Sequence, residues 1–539
     1  MTRVPTHVSG QILLNRIVDL QGAHFDSTLQ VNSRQKSQTY AGLSIESFRL
    51  ISLETIRERA DRFNSGNILA EVRAKQTQAS ANDIERTAQD IIANIREGAK
   101  FRTDVPSSEY IASLRQMRKN VVGALAQIRD TLNVDLEGRF IFAGGREQTP
   151  PVNMPVSNFT EFEETYDGNN VTFPETRAGN LFNVDFRGVD ITFGSASVPH
   201  TSGPLNGQTI NHGTFEAPPP EPFITGTIAA ATAGNMDFFS SVLDPRPGVS
   251  EGKIVSSNAN AFSRLERGMA LMIDSGTAAN DGIYTVTEVS ADGREVKVTP
   301  PFPTAPSVSE SIDIKIGVPQ GATIEIENST GNNDIYTVNY PPNADIPAGD
   351  LPNILNGTLI YTTPPPPTTG TQSGISIIST GYYRGDTLEN QHRVDEIRVI
   401  QIGLNAQNAA FEKLIRGLGI IGQGFPLDAT GEIDLPEFYR RIDLGIELVN
   451  DAILHSTSVN ESAEDLPSVQ QTIGFGRADL HKAQDRTRNF IAFLDTTVAK
   501  IEEVDMAEAI TRLNEAQRTL EASYEVTARL SRLSLKDFI

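Results

Sequence analysis

The placement of proline and of apolar repeats divides this chain of 539 residues into three parts. From residue 8 to about 140, and again from 387 to 539, the sequence is poor in proline and rich in helix formers, with apolar residues at steps of three and four. Between about 145 and 385 lie most of the 30 prolines, together with β-branched runs and Gly, Asn, Ser and Thr clusters. This order predicts an α+β protein of several domains, helical at both ends and β-rich in the middle.

Four apolar seams run along the predicted helices. They are Ile84, Ala88, Ile91, Ile95; Ile111, Leu114, Arg118, Val121, Leu125, Ile128, Leu132; Val394, Ile397, Gln401, Leu404, Asn408, Phe411, Ile415; and Leu480, Ala483, Thr487, Phe490, Leu494, Thr497, Ile501. Such heptad-like spacing suits helices that pack lengthwise. Polar and small residues within the seams, Arg118 above all, would weaken a two-stranded coiled coil, so we expect a bundle of several helices.

The two extreme ends each read as one amphipathic helix without an adjacent partner, over residues 8–31 and 507–535. Apolar area left in water costs roughly 25 cal/mol per Å², and a lone helix of this length is marginal, so we expect the ends to fold on assembly. The stripes could cover each other or be covered by neighbouring copies of the chain. The residues predicted to form this assembly stripe are Leu14, Val18, Phe25, Leu29, Ile510, Leu513, Leu520 and Tyr524.

Short strands are predicted in the middle of the chain. Residues 321–327 (GATIEIE) alternate strictly, and residues 294–299 follow a hairpin-type turn at 291–293. Residues 280–286 and 332–338 echo each other (NDGIYTV and NNDIYTV), which fits two related hairpins of one β domain or two small β units.

Composition excludes several classes of function. The chain has no cysteine, which rules out disulfides, thiolate nucleophiles and zinc–thiolate sites. Its formal charge of −22 argues against a nucleic-acid partner. The sequence shows no apolar run long enough to cross a membrane, so no membrane partner is expected, and no signal-peptide pattern is visible.

No catalytic, cofactor or metal site is predicted. The seven histidines show no metal-ligand spacing. Residues 417–422 (GLGIIG) match the dinucleotide fingerprint in letters, but a helix precedes them, so we interpret them as a helix C-cap and a flexible loop. Residues 428–434 (DATGEID) lack calcium-loop spacing and are predicted to be a solvated turn with a helix N-cap. The RGD tripeptide at 384–386 is interpreted as a chance match.

Both ends of the chain carry segments that resemble the bacterial flagellin family. In chain order these are residues 35–43 (QKSQTYAGL), 49–53 (RLISL), 138–145 (GRFIFAGG), 149–152 (TPPV), 382–386 (YYRGD), 409–416 (AAFEKLIR), 503–507 (EVDMA), 520–524 (LEASY) and 533–535 (LSL). The resemblance covers roughly the first 150 and the last 160 residues. The last segments are more similar to the hook-associated protein 3 type than to filament flagellin.

This resemblance implies a long antiparallel helical bundle built from both termini, with a β-rich central insertion. Residues 1–44 with 503–539 would be terminal assembly helices, 45–184 with 381–502 the helical bundle domain, and 185–380 an outer β-rich insertion, in one or two small units. It also implies a non-enzymatic structural subunit without a cofactor, outside the cell in the flagellum and exported without a cleaved signal peptide.

The implied role is to join hook to filament by helical self-assembly. The implied partners are other copies of the chain, the hook-side junction protein and flagellin, and the resemblance allows for an export chaperone. Two alternatives stay open, which are filament flagellin itself and a cell-surface adhesin whose helices form a stalk.

Overall fold

The computed structural model describes residues 6–100, 102–103, 107–201, 207–218, 223–243, 250–275, 280–303, 311–428, 430–456 and 461–536. The chain divides into two units. Unit 1 comprises Met1–Glu71, His392–Ile400 and Ala478–Ile539, and unit 2 comprises Val72–Gln391 and Gln401–Arg477.

Long helices occupy both ends of the described chain, and short helices lie between them. They are α1 (Thr6–Ser33), α2 (Glu46–Gly98), α3 (Ser108–Leu132), α4 (Phe159–Thr165), α5 (Arg177–Leu181), α6 (Ala230–Ala233), α7 (Leu351–Leu355), α8 (Ala409–Gly422), α9 (Leu435–Ile453), α10 (Leu466–Glu502) and α11 (Met506–Lys536). Two 3-10 turns lie at Tyr40–Leu43 and Asn343–Asp345.

Several of these helices begin where the sequence provides a capping side chain. In each case the side chain accepts a hydrogen bond from a backbone N–H in the first turn of the helix. The capping residues are Ser107 for α3, Asn158 for α4, Thr176 for α5, Asn408 for α8 and Asp434 for α9. Such a cap satisfies a donor that the helix itself leaves unpaired.

Strands form four antiparallel groups. Two are small pairs, β1 (Asp135–Leu136) with β2 (Arg139–Phe140) and β16 (Gln391–Arg393) with β17 (Val399–Gln401). A closed barrel has the order β12 (Thr323–Glu327), β13 (Ile335–Val338), β14 (Leu359–Thr363), β4 (Thr209–Glu216), β3 (Asp185–Pro199), β15 (Gly370–Ser379). A seven-stranded sheet has the order β5 (Ile224–Ile228), β11 (Ile314–Gly317), β8 (Ala270–Ile273), β9 (Gly282–Val289), β10 (Glu295–Thr299), β7 (Ser250–Ser256), β6 (Met236–Leu243).

The seven-stranded sheet is inserted in sequence between barrel strands β4 and β12, and each has its own core. The two echoing segments of the sequence belong to different sheets, β9 and β13. In both, the tyrosine hydroxyl donates to the backbone oxygen four residues earlier, from Tyr284 to Asn280 at 2.9 Å and from Tyr336 to Asn332 at 3.1 Å. The echo therefore marks one local motif used twice.

A third core, in unit 2, lies among helices α2, α3, α8 and α9. The first predicted seam is buried there, and so is the second from Leu114 to Leu132. Arg118 is buried with its apolar neighbours. The predicted fold class, α+β and multidomain with helical termini and a β-rich middle, is confirmed. None of the described helices is both long and apolar enough to cross a membrane.

Two predictions about the C-terminal half are wrong. Residues 387–408 are not helical, because the Asp395 carboxylate accepts hydrogen bonds from the backbone N–H of Ile397 (2.9 Å) and Arg398 (2.7 Å) and closes the β16–β17 turn. In that turn Ile397, predicted to lie in a seam, is 94% exposed. Phe490 of the last predicted seam is also exposed.

The GLGIIG segment is no loop either. Helix α8 continues through it to Gly422, and the whole helix is buried. Gly417 and Gly445 face each other across α8 and α9, since a Cβ on Gly417 would lie 2.9 Å from the Gly445 oxygen. The glycines therefore permit close approach of two helices.

Candidate assembly surface

The two chain ends lie side by side in unit 1. An antiparallel bridge joins Gln35 to Glu503, and the Gln21 side chain donates to the Tyr524 hydroxyl at 2.6 Å. The order of these contacts shows that α1 and α11 run antiparallel.

The connector after α1 is fixed to the end of α10. The backbone N–H of Lys36 donates to the Glu502 oxygen at 2.7 Å. The Lys36 ammonium donates to the oxygens of Lys500 (3.0 Å) and Ile501 (2.8 Å). A cation at this place satisfies carbonyls that a helix C-terminus leaves unpaired and complements its dipole.

A narrow seam closes the α1–α11 pair. Ile17 is 8% exposed and Ala509 is fully buried, while Leu13, Leu20 and Leu513 are half-buried. The seam on α1 lies next to the predicted stripe on the helix surface and is distinct from it, since Leu13, Ile17 and Leu20 repeat at steps of four and three.

Six of the eight predicted stripe residues are exposed in the single chain. On α1 the exposed fractions are 60% for Leu14, 62% for Val18, 65% for Phe25 and 38% for Leu29. On α11 Ile510 and Tyr524 are exposed, whereas Leu513 and Leu520 are half-buried. Pairing of the two helices therefore leaves most of the predicted stripe uncovered within one molecule.

Sequence reasoning missed other exposed apolar residues of unit 1. Ile12 and Val526 lie on the terminal helices, and Ile45, Phe48 and Ile51 lie around the start of α2. Ile12 and Val526 lie outside the helix faces to which the predicted stripe was assigned. The spacing of Ile45, Phe48 and Ile51 at steps of three is the signal that would have found these three.

The charge of the chain is unevenly divided between the units. Unit 1 has 19 Lys and Arg against 20 Asp and Glu, which leaves 27 against 48 for unit 2 out of the chain's 46 and 68. Many charges of unit 1 are paired, as Arg57 is with Asp495, whose hydrogen bond raises the pKa of Arg57. Copies of unit 1 can therefore approach one another without net repulsion.

The remaining candidate motifs have local structural roles. The Asp428 carboxylate accepts from the backbone N–H of Thr430 and Glu432, and Asp434 caps α9, as predicted for a turn. Asp386 accepts from the N–H of Gly145 at 2.7 Å. His392 contacts Asn67 and His481 contacts Glu71. Across the described ranges, no group of three or more His, Cys, Asp or Glu is arranged to hold a metal ion.

Comparison with known families identifies the C-terminal end. Residues 457–539, which include all of α10 and α11, match the bacterial flagellin C-terminal helical region. The predicted flagellin-like character of this end is thereby confirmed, and the flagellin-type region supplies one of the two helices of the terminal pair.

Solved structures of flagellar proteins align over most of the chain. Flagellar hook associated protein-3 of Legionella pneumophila is 12% identical and covers 83% of this chain and 98% of its own, with a TM-score of 0.29. The flagellar junction protein FlgL of the same organism is 11% identical, covering 80% and 99%, with a TM-score of 0.26. FlgL of Xanthomonas campestris is 8% identical, covering 82% and 98%, with a TM-score of 0.23. TM-scores this low do not establish a shared domain arrangement or function.

No curated protein matches the chain significantly.

Proposed function

We propose that this protein is a non-enzymatic structural subunit of the bacterial flagellum that joins hook to filament. The observation that carries the proposal is the flagellin-type α11, paired with α1 and leaving an apolar stripe in water. A terminal pair of this kind is stable in water only to the extent that something covers the stripe.

Neighbouring copies are the proposed cover. Fully burying an apolar side chain of this size contributes about 1.5–3 kcal/mol, so the exposed parts of Leu14, Val18 and Phe25 together would contribute roughly 3–6 kcal/mol per copy. A head-to-tail contact that does not close on itself produces a helical assembly. The near-neutral charge of unit 1 favours such contacts.

The junction role is favoured over filament flagellin by the C-terminal sequence, whose LEASY and LSL segments resemble the hook-associated type. A junction subunit contacts other axial components of the extracellular flagellum, which on this proposal are the hook-side junction protein and flagellin. Copy number separates the two roles. Immunogold label on isolated flagella should be confined to the filament base, whereas label along the whole filament would identify a filament subunit.

The stripe can be tested with adjacent substitutions on α1. Changing Val18→Asn together with Phe25→Asn should leave the Ile17 seam intact and abolish incorporation into flagella, because the apolar cover is lost. The control variant introduces asparagine at the two adjacent positions, as Asp19→Asn with Asp26→Asn. Both positions are exposed and lie outside the stripe.

Motility and flagellar incorporation in a strain lacking the native gene are the measurements, with circular dichroism to confirm helix content. Incorporation at the level of the control would exclude the α1 stripe as the assembly surface.

A further inference from the structure

The break between α10 and α11 has no cause in its own sequence. Only residues 503–505 separate the two helices, and none of them is glycine or proline. Many helices end at glycine, which adopts the left-handed C-cap conformation without strain, and proline cannot continue a helix. Without either residue, α10 can extend through Glu503 into α11. A contact from elsewhere in the chain must therefore end α10 at Glu502.

Lys36 provides that contact. The last four carbonyls of a helix have no partner within the helix. The Lys36 ammonium donates to the oxygens of Lys500 at 3.0 Å and Ile501 at 2.8 Å. Its backbone N–H donates to the Glu502 oxygen at 2.7 Å. For α10 to continue, these three oxygens would have to accept from the N–H groups of residues 504–506 instead.

Further polar contacts hold the break on both sides. The N–H of Val504 donates to the Arg34 oxygen at 3.0 Å, so it is not available to α10. The Asp505 carboxylate accepts from two N–H groups in the first turn of α11 and so begins that helix. Every residue from 502 to 508 is described by the structure, and none is buried. The break therefore depends on hydrogen bonds and not on apolar packing of its own side chains.

The break also changes which face of the helix is covered. On α10, Leu494 and Ile501 are buried seven residues apart, and the next position at this spacing is Glu508, which is exposed. Ala509 is buried instead. One residue corresponds to about 100° of rotation around a helix, so an unbroken helix would turn the α11 seam by that angle relative to α10. The break thus decides which face of α11 meets α1 and which face carries the stripe.

We propose that Lys36 is a positioning residue, which holds the break between α10 and α11 and thereby sets the face that α11 presents to α1. The alternative state is one continuous helix, in which the carbonyls of residues 500–502 accept from their own helix. A long cationic side chain suits this role, because it reaches two carbonyls and complements the dipole of the helix end. The inference rests on the proposed function, which gives the orientation of the stripe its purpose.

A single thiol can report the orientation of α11, because the chain has no cysteine. Ala509→Cys places that thiol at a buried position of the seam. The purified full-length chain with this substitution is compared with Lys36 unchanged, with Lys36→Met, with Lys36→Arg, and with Lys500→Met as the control. Lys500→Met removes an equal charge at the same helix end from an exposed side chain. The probe is a small water-soluble maleimide, and the readout is its labelling rate.

We expect Lys36→Met to raise the labelling rate at position 509 by roughly tenfold or more, because α10 can then continue and turn the seam outwards. Lys36→Arg should label like the unchanged chain, since a guanidinium can donate to the same carbonyls. Lys500→Met should also leave the rate unchanged. An unchanged rate in Lys36→Met would overturn the inference and leave the proposed function standing, because this measurement is made on the monomer.

A second substitution distinguishes continuation of the helix from simple loss of a contact. Glu503→Gly lowers the tendency of the break to become helical by about threefold, while its backbone groups stay in place. Added to Lys36→Met, it should return the labelling rate at position 509 towards that of the unchanged chain. A double variant that labels as fast as Lys36→Met alone would overturn the inference, since the seam would then be exposed without a continuous helix.

Incorporation into flagella connects the break to assembly. The Lys36 variants without Ala509→Cys are expressed in a strain lacking the native gene. Lys36→Met should enter flagella poorly, and both Lys36→Arg and the double variant with Glu503→Gly should enter normally. Normal incorporation of Lys36→Met would overturn the positioning role. The proposed function is tested separately, by the stripe substitutions at Val18 and Phe25.

Discussion

At the residue scale, the charged side chain within the second seam shows how a polar residue is accommodated in a helical core. Arg118 has no solvent exposure, and burial lowers its pKa to about 10. Its guanidinium pairs with Glu163 at 3.0 Å, donates to the Gly422 oxygen at 3.3 Å and lies 4.5 Å from the ring centre of Phe425. Removing one partner of such a pair would leave a buried charge without compensation, which is strongly destabilising.

Two buried histidines form another polar contact that the sequence did not reveal. His200 and His212 are 12 residues apart and meet where β3 and β4 end and begin, with their Nε2 atoms 3.1 Å apart. The Tyr361 ring lies edge-on to His212. Burial and the neighbouring His200 lower the pKa of His212 to about 4. Of the residues next to the pair, Thr201 donates to the Asp345 carboxylate and Tyr361 donates to the Asp350 carboxylate.

This pair predicts acid sensitivity of the barrel. An unfolded histidine has a pKa of about 6.5, so between that value and about 4 the folded state binds fewer protons than the unfolded state. The free energy of unfolding should therefore be highest above pH 6.5 and decrease as the pH falls towards 4. For one proton, this decrease is at most about 1.4 kcal/mol per pH unit.

Tyrosine fluorescence during urea unfolding is a suitable measurement, since the chain has no tryptophan. His212→Phe should flatten this pH dependence, and the control His481→Gln, at a half-exposed side chain, should not. If the free energy of unfolding of His212→Phe depended on pH as steeply as that of the unchanged protein, the His200–His212 pair would not be the source of the acid sensitivity.

At the element scale, glycine has different structural roles in α9 and α3. A Cβ on Gly445 of α9 would lie 2.5 Å from Cγ1 of Ile421 and 2.6 Å from the Gly417 oxygen of α8. A Cβ on Gly123 of α3 would have nothing within 4 Å. The first glycine allows two helices to touch, and the second only adds backbone freedom.

The same substitution should therefore have opposite effects. Gly445→Ala is expected to lower the free energy of unfolding by about 1–3 kcal/mol, because it overpacks the α8–α9 contact. Gly123→Ala is expected to raise it by about 0.5–1 kcal/mol, because alanine is the better helix former. The free energy of unfolding of both variants is measured by chemical denaturation. Stabilisation by Gly445→Ala would mean that α8 and α9 are not in close contact.

At the scale of the whole molecule, charge and apolar surface are separated. Unit 2 holds the acidic excess and three hydrophobic cores, while unit 1 is nearly neutral and exposes apolar side chains on α1, α2 and α11. The first property keeps copies soluble, and the second lets a specific part of each copy associate.

Removing residues 507–539 should therefore separate folding from assembly. Unit 2 contains none of these residues, so its cores should remain intact. The truncated chain should stay soluble and monomeric by sedimentation, keep the circular dichroism of its strands and remaining helices, and fail to restore flagella in a strain lacking the native gene. Filaments restored by the truncated chain would contradict an assembly role for α11.

The sequence by itself determined the type of each region. Steps of three and four residues in apolar positions predict helices, strict alternation over residues 321–327 predicts a strand, and the capping residue Asp434 marks where α9 begins. Apolar spacing and capping residues are local signals, because they depend on backbone geometry and on neighbours within a few residues. The flagellin resemblance of the C-terminal end was likewise readable from the letters alone.

Only the tertiary structure decided which apolar face is covered and which is left in water. Helix α1 has apolar residues on two adjacent faces, and the pairing with α11 buries Ile17 while leaving Val18 62% exposed. Similarly, residues 387–408 have a helical period, but Asp395 and the surroundings of Val394 turn them into a hairpin. In both cases several local arrangements are close in free energy, so the choice depends on contacts with residues far away in the sequence.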